Sequence, residues 1–258
     1  MTILQSIILG IVEGITEFIP VSSTAHILIL SDWLGIESSD FLKTFTISIQ
    51  VGAILSVAVL YFKIIYKNPK LILKMIAGFI PTAIIALSLY ALIRDLFMEN
   101  MFIIASALIL GGIALILFEN HFEKKEVDKK QTINNVGYKQ AALIGIFQSL
   151  AIIPGVSRSA ATIMGGLNLG LSRKTIVEFS FILAMPTMIA ATVFDLYKTP
   201  IEFSSQEWLV WAIGFFVSFI VAIIGIKFLL KYIKNNNFKI FAWYRILIGS
   251  IVIIWQLL

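Results

Sequence analysis

The chain has 258 residues, of which 59% are hydrophobic and 14% are charged. Soluble domains average about 45–50% apolar and about 25% charged residues, and a soluble fold cannot bury this much apolar surface. The formal net charge of +5 does not indicate nucleic-acid binding, because the lysines lie in short segments beside apolar runs, where the positive-inside rule accounts for them. The absence of cysteine excludes disulfides, thiolate nucleophiles and cysteine-bound metal.

The apolar segments follow one another in an order that occurs twice along the chain. An interrupted apolar region at 3–34 comes first, and its lack of a basic start predicts that it is retained rather than cleaved as a signal peptide, since the first Lys or Arg is Lys43. A second interrupted region lies at 138–170. Uninterrupted runs near the ~20 residues needed to cross a bilayer predict six transmembrane helices, at 42–62, 71–93, 101–118, 175–197, 207–230 and 240–258.

Each interrupted region contains a proline near its middle, Pro20 in the first and Pro154 in the second. Proline removes a helical hydrogen bond, so these regions are expected to run helix, break, helix. Irregular backbone at membrane depth is tolerated only where protein or a wet cavity satisfies it. We therefore predict two re-entrant hairpins, with two kinked helices that span the membrane as the alternative.

The two halves of the sequence also resemble each other. Residues 9–13 match 144–148, and 19–23 match 153–158 with one insertion; 77–79 match 213–215, and 108–112 match 246–250, all at offsets between 134 and 138. The prediction is an all-α polytopic membrane protein with an inverted repeat, in which each half has one re-entrant helix hairpin and three transmembrane helices. Repeat one is 1–135 and repeat two is 136–258, because an odd number of spans inverts the second copy.

The distribution of basic residues predicts the orientation in the membrane. The segments 63–74, 119–139, 171–174 and 231–239 hold fourteen Lys and Arg residues, whereas the opposite-side segments hold only Lys43, Arg94 and Lys198. The positive-inside rule then places both termini outside, with the first hairpin entering from outside and the second from the cytoplasm.

Three basic residues lie outside these loops: Arg158, Lys227 and Arg245. Lys227 and Arg245 are expected to extend to the interface from near helix ends. Arg158 lies within the second break, and an ionisable group at membrane depth is a functional candidate by default. Its guanidinium suits bidentate contact with phosphate or carboxylate. The structural alternative is that Arg158 only pairs with Glu13 or Glu17 to join the hairpins.

Glu13 and Glu17 are four residues apart and are expected on one face of the first half-helix. Two neighbouring carboxylates repel each other unless a cation balances their charge. Either Arg158 or a divalent metal could provide that cation. Magnesium characteristically combines one or two carboxylates with a substrate phosphate, and calcium also prefers oxygen ligands. The alternative is that one glutamate is protonated and hydrogen-bonded in a helix interface.

A serine-rich stretch follows each break. Ser22, Ser23 and Thr24 follow Pro20, and Gly155, Ser157 and Ser159 follow Pro154. Such residues cap helix N-termini, whose free N–H groups attract anions, although ordinary capping is the simpler reading for any single serine. His26 is three residues after Ser23 and is expected one turn away, where it can act as general base or acid. His121, by contrast, is expected to be a solvated loop residue.

These residues match a known pattern. The segment EGITEFIPVSSTAH at 13–26 resembles the first signature of undecaprenyl-diphosphate phosphatases of the BacA type, and PGVSRS at 154–159 resembles the second. The similarity extends through EFSF at 178–181 and MPT at 185–187 to the C-terminal helix. It implies hydrolysis of undecaprenyl diphosphate to the monophosphate in the bacterial inner membrane at its outer side, recycling of the lipid carrier for cell-wall synthesis, bacitracin resistance, and dependence on Mg²⁺ or Ca²⁺.

The same resemblance implies a role for each matched residue. Glu13 and Glu17 form the metal-associated acidic pair, Ser23 is the candidate nucleophile, His26 its acid/base partner and Arg158 the phosphate clamp. The residues that line the substrate pocket are Ser22, Thr24, Gly155, Ser157, Ser159 and Thr162. The family commonly has glycine where this chain has Ala25 and Ala160, which puts the local backbone geometry in question. The rival from another class is an inverted-repeat transporter or flippase for a phosphorylated lipid or anion.

Overall fold

A computed structural model describes residues 1–97, 100–122, 131–198 and 203–258, with the backbone alone at 90–97. This part of the chain is helical and contains no strand. The ten α-helices, numbered in chain order, are α1 Ile3–Thr16, α2 Ser23–Trp33, α3 Asp40–Lys67, α4 Lys70–Phe97, α5 Met101–Phe122, α6 Tyr138–Ser149, α7 Arg158–Asn168, α8 Arg173–Lys198, α9 Ser205–Tyr232 and α10 Lys239–Leu257.

Six of these helices, α3, α4, α5, α8, α9 and α10, are long and apolar enough to cross a membrane. They are the six that the sequence predicts, and α3, α4 and α5 each continue about one turn past the predicted end. The prediction of an all-α polytopic membrane protein is therefore confirmed. The side chain of Arg94 and all of 123–130, which carry part of the predicted charge asymmetry, lie outside the described residues.

The remaining four α-helices form two hairpins, one around each proline break. At 1.5 Å per residue, α1 is about 21 Å long and α2 about 16 Å, both short of the ~30 Å hydrocarbon core. The two helices pack against each other, and the Gln5 side-chain amide donates to the Leu34 carbonyl at 3.2 Å, which joins the start of α1 to the end of α2. The chain therefore turns back on itself instead of continuing through the break.

The second hairpin repeats these features position by position. Gln140, at the start of α6, donates to the Leu169 carbonyl after α7 at 3.1 Å, as Gln5 does to Leu34. Ser22 and Ser157, the residues before α2 and α7, have φ angles of 74° and 73°. Non-glycine residues rarely adopt positive φ, so two such serines in equivalent places support the predicted duplication. The inverted orientation of the two copies stays a prediction.

Close helix crossings at glycines bring the hairpins against the spanning helices. A Cβ at Gly10 of α1 would lie 2.7 Å from the Gly214 carbonyl oxygen of α9, and a Cβ at Gly145 of α6 would lie closer still to the Gly78 carbonyl oxygen of α4. Because glycine has no side chain, the backbones of the two helices touch at each crossing. The first hairpin therefore packs closely against α9 and the second against α4. Aromatic packing completes the centre, where the Phe18 ring meets Phe181 edge to face at 5.1 Å.

The structure corrects three expectations about charged residues and loops. Arg245 does not reach the interface, because its side chain is fully buried in α10, whereas Lys227 is exposed as expected. Helix α5 continues past the predicted end at residue 118, so His121 is an exposed residue of the last helical turn and not of a loop. Glu119, assigned to the same loop, is fully buried and bonded to Arg173 at 2.6 Å.

Candidate active site

The two breaks meet through contacts between their side chains and backbone. Ser159, the second residue of α7, donates its hydroxyl to the Phe18 carbonyl of the first break at 2.8 Å. Arg158, the first residue of α7, donates from Nη2 to Glu17 Oε1 at 2.7 Å. The sequence-predicted residues of both hairpins are thus brought to one buried place.

Glu17 connects the two candidate reactive groups. Its other carboxylate oxygen, Oε2, accepts the Ser23 hydroxyl at 2.5 Å, a short bond of the kind that charged acceptors form. Ser23 is the first residue of α2, and it directly follows Ser22, whose backbone is in the left-handed region with a φ of 74°. One carboxylate therefore orients the hydroxyl and faces the guanidinium at the same time.

The Arg158 guanidinium is fixed on one side and has a free donor on the other. Nη1 donates to the Ser180 carbonyl at 2.9 Å and to its hydroxyl at 3.2 Å, and the guanidinium carbon lies 5.8 Å from the centre of the Phe18 ring. Nε is buried and has no hydrogen-bond partner among the described residues. Because Nε and Nη2 share one edge of the fork, a phosphate oxygen has a donor available there beside Glu17.

Glu13 is the second carboxylate of the pair and has no partner. It lies one turn before Glu17 on α1, is fully buried, and neither of its oxygens accepts a hydrogen bond from the residues that the structure describes. An ionised carboxylate in such surroundings is costly without a compensating cation. The orphaned oxygens beside Glu17 therefore fit a divalent cation. The described residues contain no group of three or more acidic or histidine side chains that could hold one alone.

A two-carboxylate site agrees with the way magnesium is usually held. Magnesium retains waters and takes substrate phosphate oxygens in addition to one or two protein carboxylates. The donor set of Glu13 and Glu17 thus fits an ion that is completed by the substrate.

His26 points to a residue that the sequence analysis did not single out. Its Nδ1 lies 2.7 Å from the Ser22 carbonyl oxygen and its Nε2 lies 2.9 Å from the Tyr244 hydroxyl of α10. The two rings are stacked, with centroids 5.5 Å apart and planes 8° from parallel. A carbonyl can only accept, so Nδ1 carries the proton and Nε2 accepts from Tyr244. The structure does not bring His26 into hydrogen-bond contact with Ser23.

The other predicted pocket residues shape the ends of α2 and α7. The Ser157 hydroxyl caps α7 by accepting from the Ala160 amide at 3.2 Å, and the Thr162 hydroxyl lies 2.6 Å from that of Ser180. Thr24 is half-buried and makes no side-chain hydrogen bond within the described ranges. Gly155 has a φ of 97°, and a Cβ there would lie 2.6 Å from the Ile104 carbonyl oxygen, so this position requires glycine.

The two alanines that depart from the usual glycines do not disturb the helices. Ala25 and Ala160 are fully buried in the first turns of α2 and α7, which have regular helical geometry around them.

Two further functional candidates were missed in the sequence. Ser180 holds the guanidinium of Arg158, and Tyr244 holds the ring of His26. Ser180 does lie within the EFSF segment of the resemblance, so its signal was present. Tyr244 carries no local signal, because nothing in an apolar C-terminal helix distinguishes it.

Together, the fold and this site define a polytopic membrane protein with a buried cluster of a serine hydroxyl, two carboxylates and an arginine, suited to phosphoryl chemistry. The model of the family described as bacitracin resistance protein BacA matches residues 6–251, and the chain belongs to this family.

Similar proteins in several bacteria are named undecaprenyl-diphosphatase. The Aquifex aeolicus protein is 48% identical over 97% of each chain, and that of a Sulfurihydrogenibium species is 48% identical over 99% of this chain and all of its own. The Persephonella marina protein is 45% identical over the full length of both chains.

Proposed function

We propose that this protein hydrolyses undecaprenyl diphosphate to undecaprenyl phosphate and inorganic phosphate, with Ser23 as the nucleophile. The observation that carries the proposal is Glu17, which accepts the Ser23 hydroxyl at 2.5 Å and pairs with Arg158 at 2.7 Å. A nucleophile, its base and an anion-binding guanidinium are thus adjacent in a buried site, where preorganised donors stabilise developing charge more strongly than they would in water. The names of the relatives and membership in the BacA family support the same substrate.

In the first step, Ser23 Oγ forms a bond to the terminal phosphorus while the bond from that phosphorus to the bridging oxygen breaks. The hydroxyl proton moves to Glu17, and the electron pair of the broken bond leaves with undecaprenyl phosphate. Water then attacks the phosphorus of the phosphoserine while its bond to Ser23 Oγ breaks. Glu17 returns its proton to Oγ, the hydroxyl of the water leaves with the phosphate, and the other proton of the water passes to solvent. Arg158 stabilises the negative charge on the transferred group through Nε and Nη2.

The residues that would hold a divalent ion, Mg²⁺ or Ca²⁺, are Glu13 and Glu17. When bound, the ion supplies positive charge that neutralises the diphosphate. Without the ion, the two carboxylates repel the negatively charged diphosphate, so a site that lacks the metal binds substrate poorly.

The geometry supports Glu17 as the base that deprotonates Ser23, and we propose that His26 acts in the second step, the hydrolysis of the phosphoserine. With Nδ1 bound to the Ser22 carbonyl, His26 offers Nε2, which accepts the Tyr244 hydroxyl. We assign His26 to orienting the water that attacks the phosphoserine, with Tyr244 holding the ring in place until substrate binds. Its role as acid/base partner of Ser23 stays a prediction.

The proposed setting is the bacterial inner membrane with the site open to the outer side. The basic loops support this orientation, and the apolar helix surfaces suit a prenyl chain lying along them. Removal of the terminal phosphate there would return the lipid carrier to cell-wall synthesis and confer the bacitracin resistance for which the family is described.

Phosphate release from a polyprenyl diphosphate by protein purified in detergent tests this function. Wild type with Mg²⁺ is expected to release phosphate, and Ser23→Ala is expected to lose nearly all of it. Thr24→Ala is the matched control, because it removes the hydroxyl of the residue next to Ser23, which makes no hydrogen bond to Glu17. It is expected to lose much less phosphate release. Substrate uptake into proteoliposomes without phosphate release would instead establish the transporter function.

A further inference from the structure

Arg245 of α10 is a fully buried cation that has no carboxylate partner among the side chains that the structure describes. Neither of the two ion pairs found in the described ranges includes it. Its guanidinium instead donates to backbone carbonyl oxygens: Nη1 to Pro20 at 3.3 Å, and Nη2 to Gly155 at 2.9 Å and Val156 at 3.0 Å. A third segment joins through the Ala107 carbonyl of α5 at 3.3 Å.

Three of these four acceptors, the Pro20, Gly155 and Val156 carbonyls, lie in the breaks, which leave them without helical partners. Pro20 belongs to the first break, and Gly155 and Val156 to the second, where the backbone is irregular. Buried carbonyls in such places require a donor, and the five N–H groups of arginine can serve several at once. One guanidinium therefore joins both breaks, each through a different nitrogen.

We propose that Arg245 is a positioning residue for phosphoryl transfer, which sets the separation between the nucleophile on the first break and the phosphate clamp on the second. Ser23 follows Pro20 by three residues, and Arg158 follows Val156 by two. A change in the bond from Arg245 to either break shifts Ser23 relative to Arg158. The inference rests on the proposed hydrolase function for its kinetic readout, though not for its structural one.

The position of Arg245 predicts an effect on turnover more than on substrate binding. A displacement of about 1 Å between reacting groups can cost about 10²-fold in rate, because the geometry of attack is lost. The prenyl chain is expected to bind along helix surfaces away from the breaks, so KM should change little. A merely structural role would lower the amount of folded protein without reducing kcat of the folded fraction.

Two glycines of the α5–α10 interface supply a matched pair of test variants. The three atoms nearest to a Cβ at Gly111 would all belong to the Arg245 guanidinium: Nη2, Cζ at 2.8 Å and Nη1 at 3.3 Å. A Cβ at Gly249 would instead lie 2.7 Å from the Ala105 carbonyl oxygen and 2.7 Å from the Ile109 side chain. Gly111→Ala therefore displaces the Arg245 guanidinium. Gly249→Ala strains the same α5–α10 interface, but its nearest contacts are with α5 and not with the guanidinium.

The kinetic experiment measures phosphate release from a polyprenyl diphosphate by purified, monodisperse full-length protein. Arg245→Met is expected to lower kcat about 100-fold and Gly111→Ala about 10-fold or more, with KM within threefold of wild type. Arg245→Lys is expected to recover part of the loss, because an ammonium group reaches some of the carbonyls. Gly249→Ala should lower Tm while keeping kcat near wild type.

A distance measurement tests the same inference without activity. The chain has no cysteine, so Ile15→Cys and Leu150→Cys, two exposed positions beside the breaks, accept one spin label each. The label distance should shift or broaden in Arg245→Met and Gly111→Ala and remain unchanged in Gly249→Ala.

The outcomes separate the two proposals. A wild-type protein that releases no phosphate, but whose label distance depends on Arg245, would contradict the hydrolase function and support the positioning role. An active wild type in which Gly111→Ala leaves kcat and label distance unchanged would overturn the positioning role, even if Arg245→Met fails to fold. Equal kcat losses in Gly111→Ala and Gly249→Ala would overturn it as well.

Discussion

Glu17→Gln replaces the one carboxylate that contacts both the nucleophile and the guanidinium. The amide has nearly the same shape, but it carries no charge and one of its two ends donates instead of accepting. Either the Ser23 hydroxyl loses its acceptor or Arg158 faces an N–H group. The substitution therefore removes the proposed base while leaving the volume of the site intact.

The expected loss of turnover follows from that lost base. General-base catalysis contributes about 10²–10⁴-fold, so we expect kcat to fall about 10³-fold. The free energy of unfolding should fall by about 3–5 kcal/mol, the range for removing one partner of a buried ion pair, because Arg158 then keeps only its bonds to Ser180.

Glu13→Gln is the matched control, one helical turn away. Neither oxygen of Glu13 has a hydrogen-bond partner within the described residues, so the amide breaks no hydrogen bond. The free energy of unfolding should not decrease. Its phosphate release is expected to need a higher Mg²⁺ concentration, whereas added Mg²⁺ should not restore Glu17→Gln.

The assay is phosphate release across a Mg²⁺ titration, with thermal unfolding of the same samples. A Glu17→Gln protein that keeps more than a tenth of wild-type kcat would refute the base role. If Glu13→Gln and Glu17→Gln share one Mg²⁺ dependence and one kcat, the assignment of separate roles to the two carboxylates is wrong.

Three other substitutions test separate contacts. Arg158→Lys should lower kcat at least 100-fold, because one ammonium cannot replace a fork that holds Glu17 and Ser180 together; wild-type kcat would contradict the clamp. Tyr244→Phe should lower kcat about threefold to tenfold at unchanged Tm, since it removes one hydrogen bond to His26, worth about 1 kcal/mol. Glu119→Gln should lower the free energy of unfolding by about 2–3 kcal/mol, less than a fully buried pair because its partner is 30% exposed, and an unchanged Tm would contradict this.

The sequence identifies those parts of the fold that depend on local pattern. Apolar runs predict the six spanning helices, and Pro20 and Pro154 predict the two breaks, because proline and hydrophobicity act on the residues beside them. The clustering of Glu17, Ser23 and Arg158 follows from the same breaks, since each lies in or beside one.

The contacts that escape prediction join residues far apart in sequence. Tyr244 is 218 positions from His26, and Arg245 is 225 positions from Pro20. An arginine within a turn or two of a helix end is commonly placed at the interface, and only the packing of α10 against the breaks shows its true neighbours. Glu119 was misplaced for a similar reason, because its partner Arg173 is 54 positions away.

The most direct test of the central claim is detection of a phosphorylated Ser23 during turnover. Protein mixed with a polyprenyl diphosphate labelled in its terminal phosphate, quenched in acid within one turnover and analysed by peptide mass spectrometry, should carry the label on the peptide that contains Ser23. The label should be absent from Ser23→Ala. Full phosphate release without any labelled peptide, under conditions where formation outpaces hydrolysis, would contradict the covalent mechanism and leave attack by water.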